Sequence, residues 1–142
     1  MGEDWKHDRF AAIDSGQNPM VIARMKSRYA VMGDTQFLLG YCVLLAYPKV
    51  TSLEELDLRA RTVFLSDMSL LGEAIQATCS PRRINYSIYG NSDAFLHAHV
   101  FPRYEWEQED RKSHPVWKYS NEMWAMLVVQ YCDERNILTV AV

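Results

Sequence analysis

The chain has no apolar run long enough to cross a bilayer. Its longest, Phe37 to Tyr47, covers about half of a membrane span and reads as a buried strand. The first residues, Met-Gly-Glu-Asp-Trp-Lys, are polar and carry no apolar signal region. Cysteine is sparse. Cys42, Cys79 and Cys132 are an odd number with no Cys-x-x-Cys spacing, which argues against a disulfide framework and against a structural zinc. Free thiols in a reducing compartment are the simpler expectation, and with them a soluble, cytoplasmic protein. Positive charge is not in excess either. A net charge of −3 argues against a binder of nucleic-acid backbone, which is usually basic. No repeat, low-complexity tract or interdomain linker appears.

What is there is one domain's worth of chain. With 142 residues it can bury a real core but is too short for two comfortable domains. Residues 4–14 suit a short helix, with Trp5, Phe10 and Ile13 near helical spacing, ended by Ser15-Gly16-Gln17-Asn18-Pro19. Val21 to Val31 predicts one or two strands, and Gly33-Asp34 a turn. Gly40 to Ala46 predicts a more apolar strand, ended before Pro48. A helix is expected from Thr51 to about Thr78, with Ser52 and Glu55 as its capping box. Leu56, Val63, Phe64, Met68, Leu71 and Ile75 lie close to one face of it, and Ser80-Pro81 closes it. Residues 105–119 are charged and loop-like, with Trp106, Pro115 and Trp117 interspersed. Ser120 to Arg135 predicts a last helix with Met123, Leu127 and Tyr131 on one side. Strands grouped around long helices indicate an α+β fold, mostly antiparallel.

The chemistry sits in Asn85 to Tyr104, which reads as two strands joined by the turn Gly90-Asn91-Ser92-Asp93. On the first, Ile84, Tyr86 and Ile88 alternate with Arg83, Asn85 and Ser87. On the second, residues two apart point the same way. His97 and His99 therefore share a face with Phe95 and Phe101, while Leu96, Ala98 and Val100 form an aliphatic face suited to a core. The two imidazoles stand roughly 7 Å apart beside the turn. Pro102 cannot donate to a ladder and is expected to end the strand.

Three readings fit that pair of histidines. They can be polar surface. They can be two metal ligands, but a divalent ion wants three or four; the run from Gly90 to Glu105 only loosely resembles a cupin metal motif, and no partner motif follows. Or one imidazole can be a nucleophile toward phosphorus. That role needs an unprotonated nitrogen, an acceptor fixing the other nitrogen, and donors around the phosphate. The second histidine, the turn's N–H groups, Asn91 and Ser92 could supply the donors.

Leu-His-Ala-His-Val-Phe-Pro-Arg, preceded by Gly-Asn-Ser, resembles the signature of the histidine triad superfamily of nucleotide hydrolases and transferases, in particular its diadenosine polyphosphate hydrolases. The resemblance has support over about residues 25–107, within a single domain spanning 1–142 with extensions at both ends. It implies a five-stranded antiparallel sheet with one long central helix and a C-terminal helix, paired as a homodimer through a helix and an edge strand. It also implies a nucleotide hydrolase that cleaves a nucleoside phosphate or dinucleoside polyphosphate at the α-phosphate through a covalent nucleotidyl-histidine. His97 then matches the nucleophile. His99 matches the phosphate-contacting histidine whose backbone carbonyl orients the His97 ring. Asn91 and Ser92 match the amide and hydroxyl that meet the phosphate. Phe95 stands where the family has its first histidine, and this motivates the alternative of a non-catalytic nucleotide-binding protein. No metal is required at the histidines, although a divalent ion can accompany a polyphosphate substrate. By position, Met25, Tyr29 and Phe37 are candidates for the nucleoside pocket, and Arg103 for a structural or rim role.

Overall fold

The computed structural model describes residue 5 and residues 7–125. The first helix, α1 (Arg9–Asp14), begins where the Asp8 carboxylate accepts the Ala11 N–H at 3.0 Å, a side-chain N-cap that outweighs the apolar spacing further upstream. Two strands follow, β1 (Val21–Arg24) and β2 (Arg28–Met32), paired as an antiparallel hairpin. β3 is Cys42–Ala46. It starts after Gly40, whose φ of +99° suits glycine and whose added Cβ would meet the Cys79 sulfur at 2.8 Å.

The long helix α2 runs from Leu58 to Cys79, so the expected start at Thr51 is corrected. Glu55 does not close a capping box with Ser52. Its carboxylate instead accepts the Thr51 N–H at 3.0 Å and the Thr51 hydroxyl, around a short 3₁₀ turn over Leu53–Glu55. The cap is Asp57, which accepts the Ala60 N–H at 2.8 Å. Phe64, Leu71 and Ile75 are fully buried on one face of α2, each contributing roughly 1.5–3 kcal/mol of apolar burial. Asp67 lies on that same face, 2% exposed. It accepts the Ser27 N–H at 2.6 Å and so pins the β1–β2 turn to the helix.

Two further strands, β4 (Arg83–Ser87) and β5 (His97–Arg103), complete a sheet of order β1-β2-β3-β5-β4 in which every neighbour is antiparallel. α2 lies across β3, β5 and β4. The alternation on β5 follows the sequence reading: Ala98 and Val100 are fully buried in the main core, and the next residues along turn to the other face. One boundary differs. β5 continues through Pro102 to Arg103, because β3 pairs only as far as Val100 and leaves β4 as the sole neighbour beyond it. A proline is tolerated at such an edge.

Residues 105–119 are organised around Arg103, which is 3% exposed. Its guanidinium donates to the Glu107 carboxylate, to Asn85 Oδ1, and to the carbonyls of Arg111 and His114. Glu107 also accepts the Tyr104 N–H at 2.6 Å and the Tyr119 hydroxyl at 2.6 Å. This node folds back a short helix α3 (Glu109–Lys112), a 3₁₀ turn over Val116–Lys118, and the helix α4 (Asn121–Trp124). The rest of the expected C-terminal helix, including Leu127 and Tyr131, lies outside the described residues.

Candidate active site

The sheet face opposite α2 carries a row of rings along β5. Phe95, His97, His99 and Phe101 follow one another at centroid separations of 4.6, 4.8 and 5.7 Å. Val43 sits across from His99 on β3, and Ser87 on β4. The histidines are thus held in the middle of the sheet, where strand pairing leaves the backbone little freedom. His97 is 7% exposed.

His97 Nδ1 lies 2.7 Å from the Phe95 carbonyl oxygen. A carbonyl only accepts, so Nδ1 carries the proton and Nε2 of the neutral ring keeps its lone pair. The orienting carbonyl was expected from His99 and comes from Phe95 instead. His99 is inside the sheet, paired on both sides, whereas Phe95 precedes the strand and its carbonyl stands outside the ladder. His99 makes a different bond: its Nδ1 is 2.7 Å from the Tyr41 hydroxyl. Burial, helped by the neighbouring His97 and opposed by Asp93, pulls the pKa of His99 down to about 4, so it is neutral at neutral pH.

Gly90, Asn91, Ser92 and Asp93 line a cleft of about 460 Å³ together with both histidines, Tyr89 and Trp117. The sequence-predicted residues Asn91, Ser92, His97 and His99 are therefore brought together, with the first two exposed at the cleft edge. On their other side the histidines open into a larger cavity of about 770 Å³. Its apolar part is made by Met20, Val31, Val43 and Leu45, and its rim by Arg9, Asp34 and Lys49. Met25, Tyr29 and Phe37 do not line it. Met25 is buried in the main core, Tyr29 packs against Tyr47, and Phe37 packs against Tyr119 and Trp124. Of Arg103's two expected places, the structural one holds.

Of the tail tryptophans, which the sequence leaves between covering the site and a dimer interface, Trp117 covers the site. It stands edge-on to His99 at 5.4 Å and stacks on Trp124 at 5.1 Å; it arrives by way of the Arg103 node, which no local pattern announces. Other site residues escape a sequence reading. Arg9 and Asp34 form a paired rim, with a shortest N–O separation of 2.8 Å. The Lys49 ammonium sits 5.4 Å from the rings of both Phe10 and Phe95, so the position lacking an imidazole carries a cation on its face. Among the described residues, no group of three or more His, Cys, Asp or Glu is placed to hold a metal ion.

Neither a protein-family model nor a curated protein matches the chain by sequence. Solved structures do match. A histidine triad protein from Sinorhizobium meliloti superimposes with a TM-score of 0.62 at 17% identity, over 71% of this chain and 73% of that one. A hypothetical histidine triad nucleotide-binding protein from Sulfolobus tokodaii gives 0.60 at 16% identity, over 80% and 81% of the two chains. The diadenosine triphosphate hydrolase of Plasmodium falciparum, solved with cyclomarin A, gives 0.54 at 15% identity, over 63% and 64%. By these likenesses this chain, with its antiparallel sheet of five strands under one long helix, has the fold of the histidine triad proteins.

Proposed function

We propose that the chain is a nucleotide hydrolase that attacks the α-phosphate of a nucleoside phosphate or dinucleoside polyphosphate with His97. The observation that carries this reading is the bond from His97 Nδ1 to the Phe95 carbonyl, which leaves Nε2 as a free base in a cleft shared with His99, Asn91 and Ser92. Nε2 forms a bond to phosphorus while the bond from phosphorus to the leaving oxygen breaks. Charge gathers on the non-bridging oxygens, where His99, the Asn91 amide and the Ser92 hydroxyl are the donors. Water then attacks the nucleotidyl-histidine, the phosphorus–nitrogen bond breaks, and His97 is restored with release of a nucleoside monophosphate.

Phe95 has no proton to give a departing group. That suits a leaving group stable as an anion, such as the phosphate end of a polyphosphate, better than an amine. Lys49, one ring away from His97, is a positive charge placed to suit outer phosphates. A divalent cation, where present, comes as the counter-ion of such a substrate. The 770 Å³ cavity with its apolar wall is of a size for a nucleoside.

A homodimer is part of the proposal. β4 is an outer strand with Tyr86 43% exposed, and α2 leaves Leu58, Leu65 and Leu70 at 75%, 38% and 42%. So is a place in the cytoplasm, to which the free thiols of Cys42 and Cys79 are suited; no helix among the described residues is long and apolar enough to cross a membrane.

The test is intact-protein mass spectrometry after mixing with an adenosine polyphosphate and rapid quenching. Wild type is expected to gain one nucleotidyl group. His97→Ala is expected to gain none and to lose turnover by at least about a thousandfold. The second reading, a nucleotide-binding protein without turnover, is favoured by Phe95 and its packing against Phe10 at 5.4 Å. Binding of nucleotides without adduct or product across a panel would establish it.

A further inference from the structure

The two histidines make opposite use of the same nitrogen. On His97, Nδ1 faces a carbonyl and must donate. On His99, Nδ1 faces the phenol of Tyr41, which can donate or accept. The chemistry of the two groups decides between these. Among the described residues His99 is the hydrogen-bond partner of the Tyr41 hydroxyl. A phenol is a better donor than acceptor, and the lone pair of a neutral imidazole nitrogen is a better acceptor than a phenolic oxygen, so the stronger pairing runs from O–H to Nδ1. The phenol therefore donates, Nδ1 of His99 accepts, and the His99 proton sits on Nε2.

Tyr41 is in turn held by rigid parts of the fold. Its ring stacks on Phe101 with centroids 4.2 Å apart and planes at 12°. Its other neighbour is Gly33, where any added Cβ would overlap the ring. Gly33 N–H also donates to the Tyr41 carbonyl at 2.9 Å, which closes the loop that presents the phenol. The side chain reaches His99 across 58 residues of sequence and has little room to turn away.

We infer that Tyr41 is a positioning residue that fixes His99 as a neutral donor through Nε2–H, so that one cleft offers a lone pair on His97 and a proton on His99. This rests on the hydrolase reading for its catalytic consequence, though not for the tautomer. An accepting nitrogen at that place on His99 would repel a phosphate oxygen, whereas the fixed N–H meets it without reorganisation.

The experiment is long-range proton–nitrogen NMR of the imidazoles in nitrogen-15-labelled wild type and Tyr41→Phe, with kinetics on the same samples. Phenylalanine keeps the stack on Phe101 and removes only the hydroxyl. Wild type is expected to show His97 protonated on Nδ1 and His99 on Nε2. In Tyr41→Phe, His99 should become a mixture of tautomers, with kcat falling about five- to tenfold and KM changing less. Wild-type His99 protonated on Nδ1 would overturn the inference, and this needs no variant to fold. An unchanged tautomer and rate in Tyr41→Phe would overturn it too. If wild type turns over no nucleotide, the hydrolase reading fails separately; the tautomers still decide, and Tyr41→Phe should then weaken nucleoside monophosphate binding by a similar factor.

Discussion

His99 couples the site to acid stability. Its pKa in the folded chain is drawn down to about 4 by burial and by His97, against about 6.5 in an unfolded chain. The groups facing it are His97 on its own strand, Asp93 from the preceding turn, and Tyr41 from the loop before β3. Because the unfolded chain binds the proton more readily, stability rises with pH through this window. The contribution is complete above about pH 6.5 and is lost as pH falls toward 4. Thermal melts at steps between these values should show a declining midpoint, and His99→Gln should flatten part of that decline. An unaltered slope in the variant would place the acid sensitivity elsewhere. Glu107 adds to the same trend at lower pH. Its own burial raises its pKa, but bonds from Arg103, Tyr119 and the Tyr104 N–H outweigh that and leave it lowered.

Among the elements, β5 and α2 were legible and the segment after β5 was not. The strand shows itself because residues two apart alternate between buried aliphatics and rings, and the helix because Phe64, Leu71 and Ile75 recur at helical spacing. Asn91, Ser92, His97 and His99 could be placed in one cleft because a single turn and strand carry all four. Residues 105–119 have no period to read. Their shape depends on one buried arginine whose partners lie between 4 and 18 residues away in sequence. The same holds for Tyr41, which comes from a loop, and for the start of α2, where Asp57 rather than Ser52 is the cap. These are settled by contacts that exist only after the chain has closed. The Arg103–Glu107 pair, with side chains 4% and 0% exposed, predicts its own behaviour. Glu107→Leu should cost about 3–5 kcal/mol in urea unfolding, because a buried guanidinium is left without its carboxylate. The double variant Arg103→Leu, Glu107→Leu should cost less than the sum of the single ones.

At the scale of the whole molecule, the site is walled by both ends of the described chain. Arg9 and Phe10 arrive from α1, Trp117 and Trp124 from the segment after α3, and the sheet between them supplies the histidines. β5 is also placed between β3 and β4, so it pairs with a strand, β3, that precedes it by the whole of α2. Contacts of such long sequence separation form late and together. The Trp117–Trp124 pair, stacked with planes at 14°, gives this closure an optical signature. Two indoles at that spacing couple their strong far-ultraviolet transitions, and the pair should superimpose a band of each sign on the backbone circular dichroism, to an extent set by the twist between the rings. Trp124→Phe should remove the couplet while the helix and strand contribution to the far-ultraviolet spectrum stays in place. A nucleotide entering beside Trp117 would be seen in the same band, without a label.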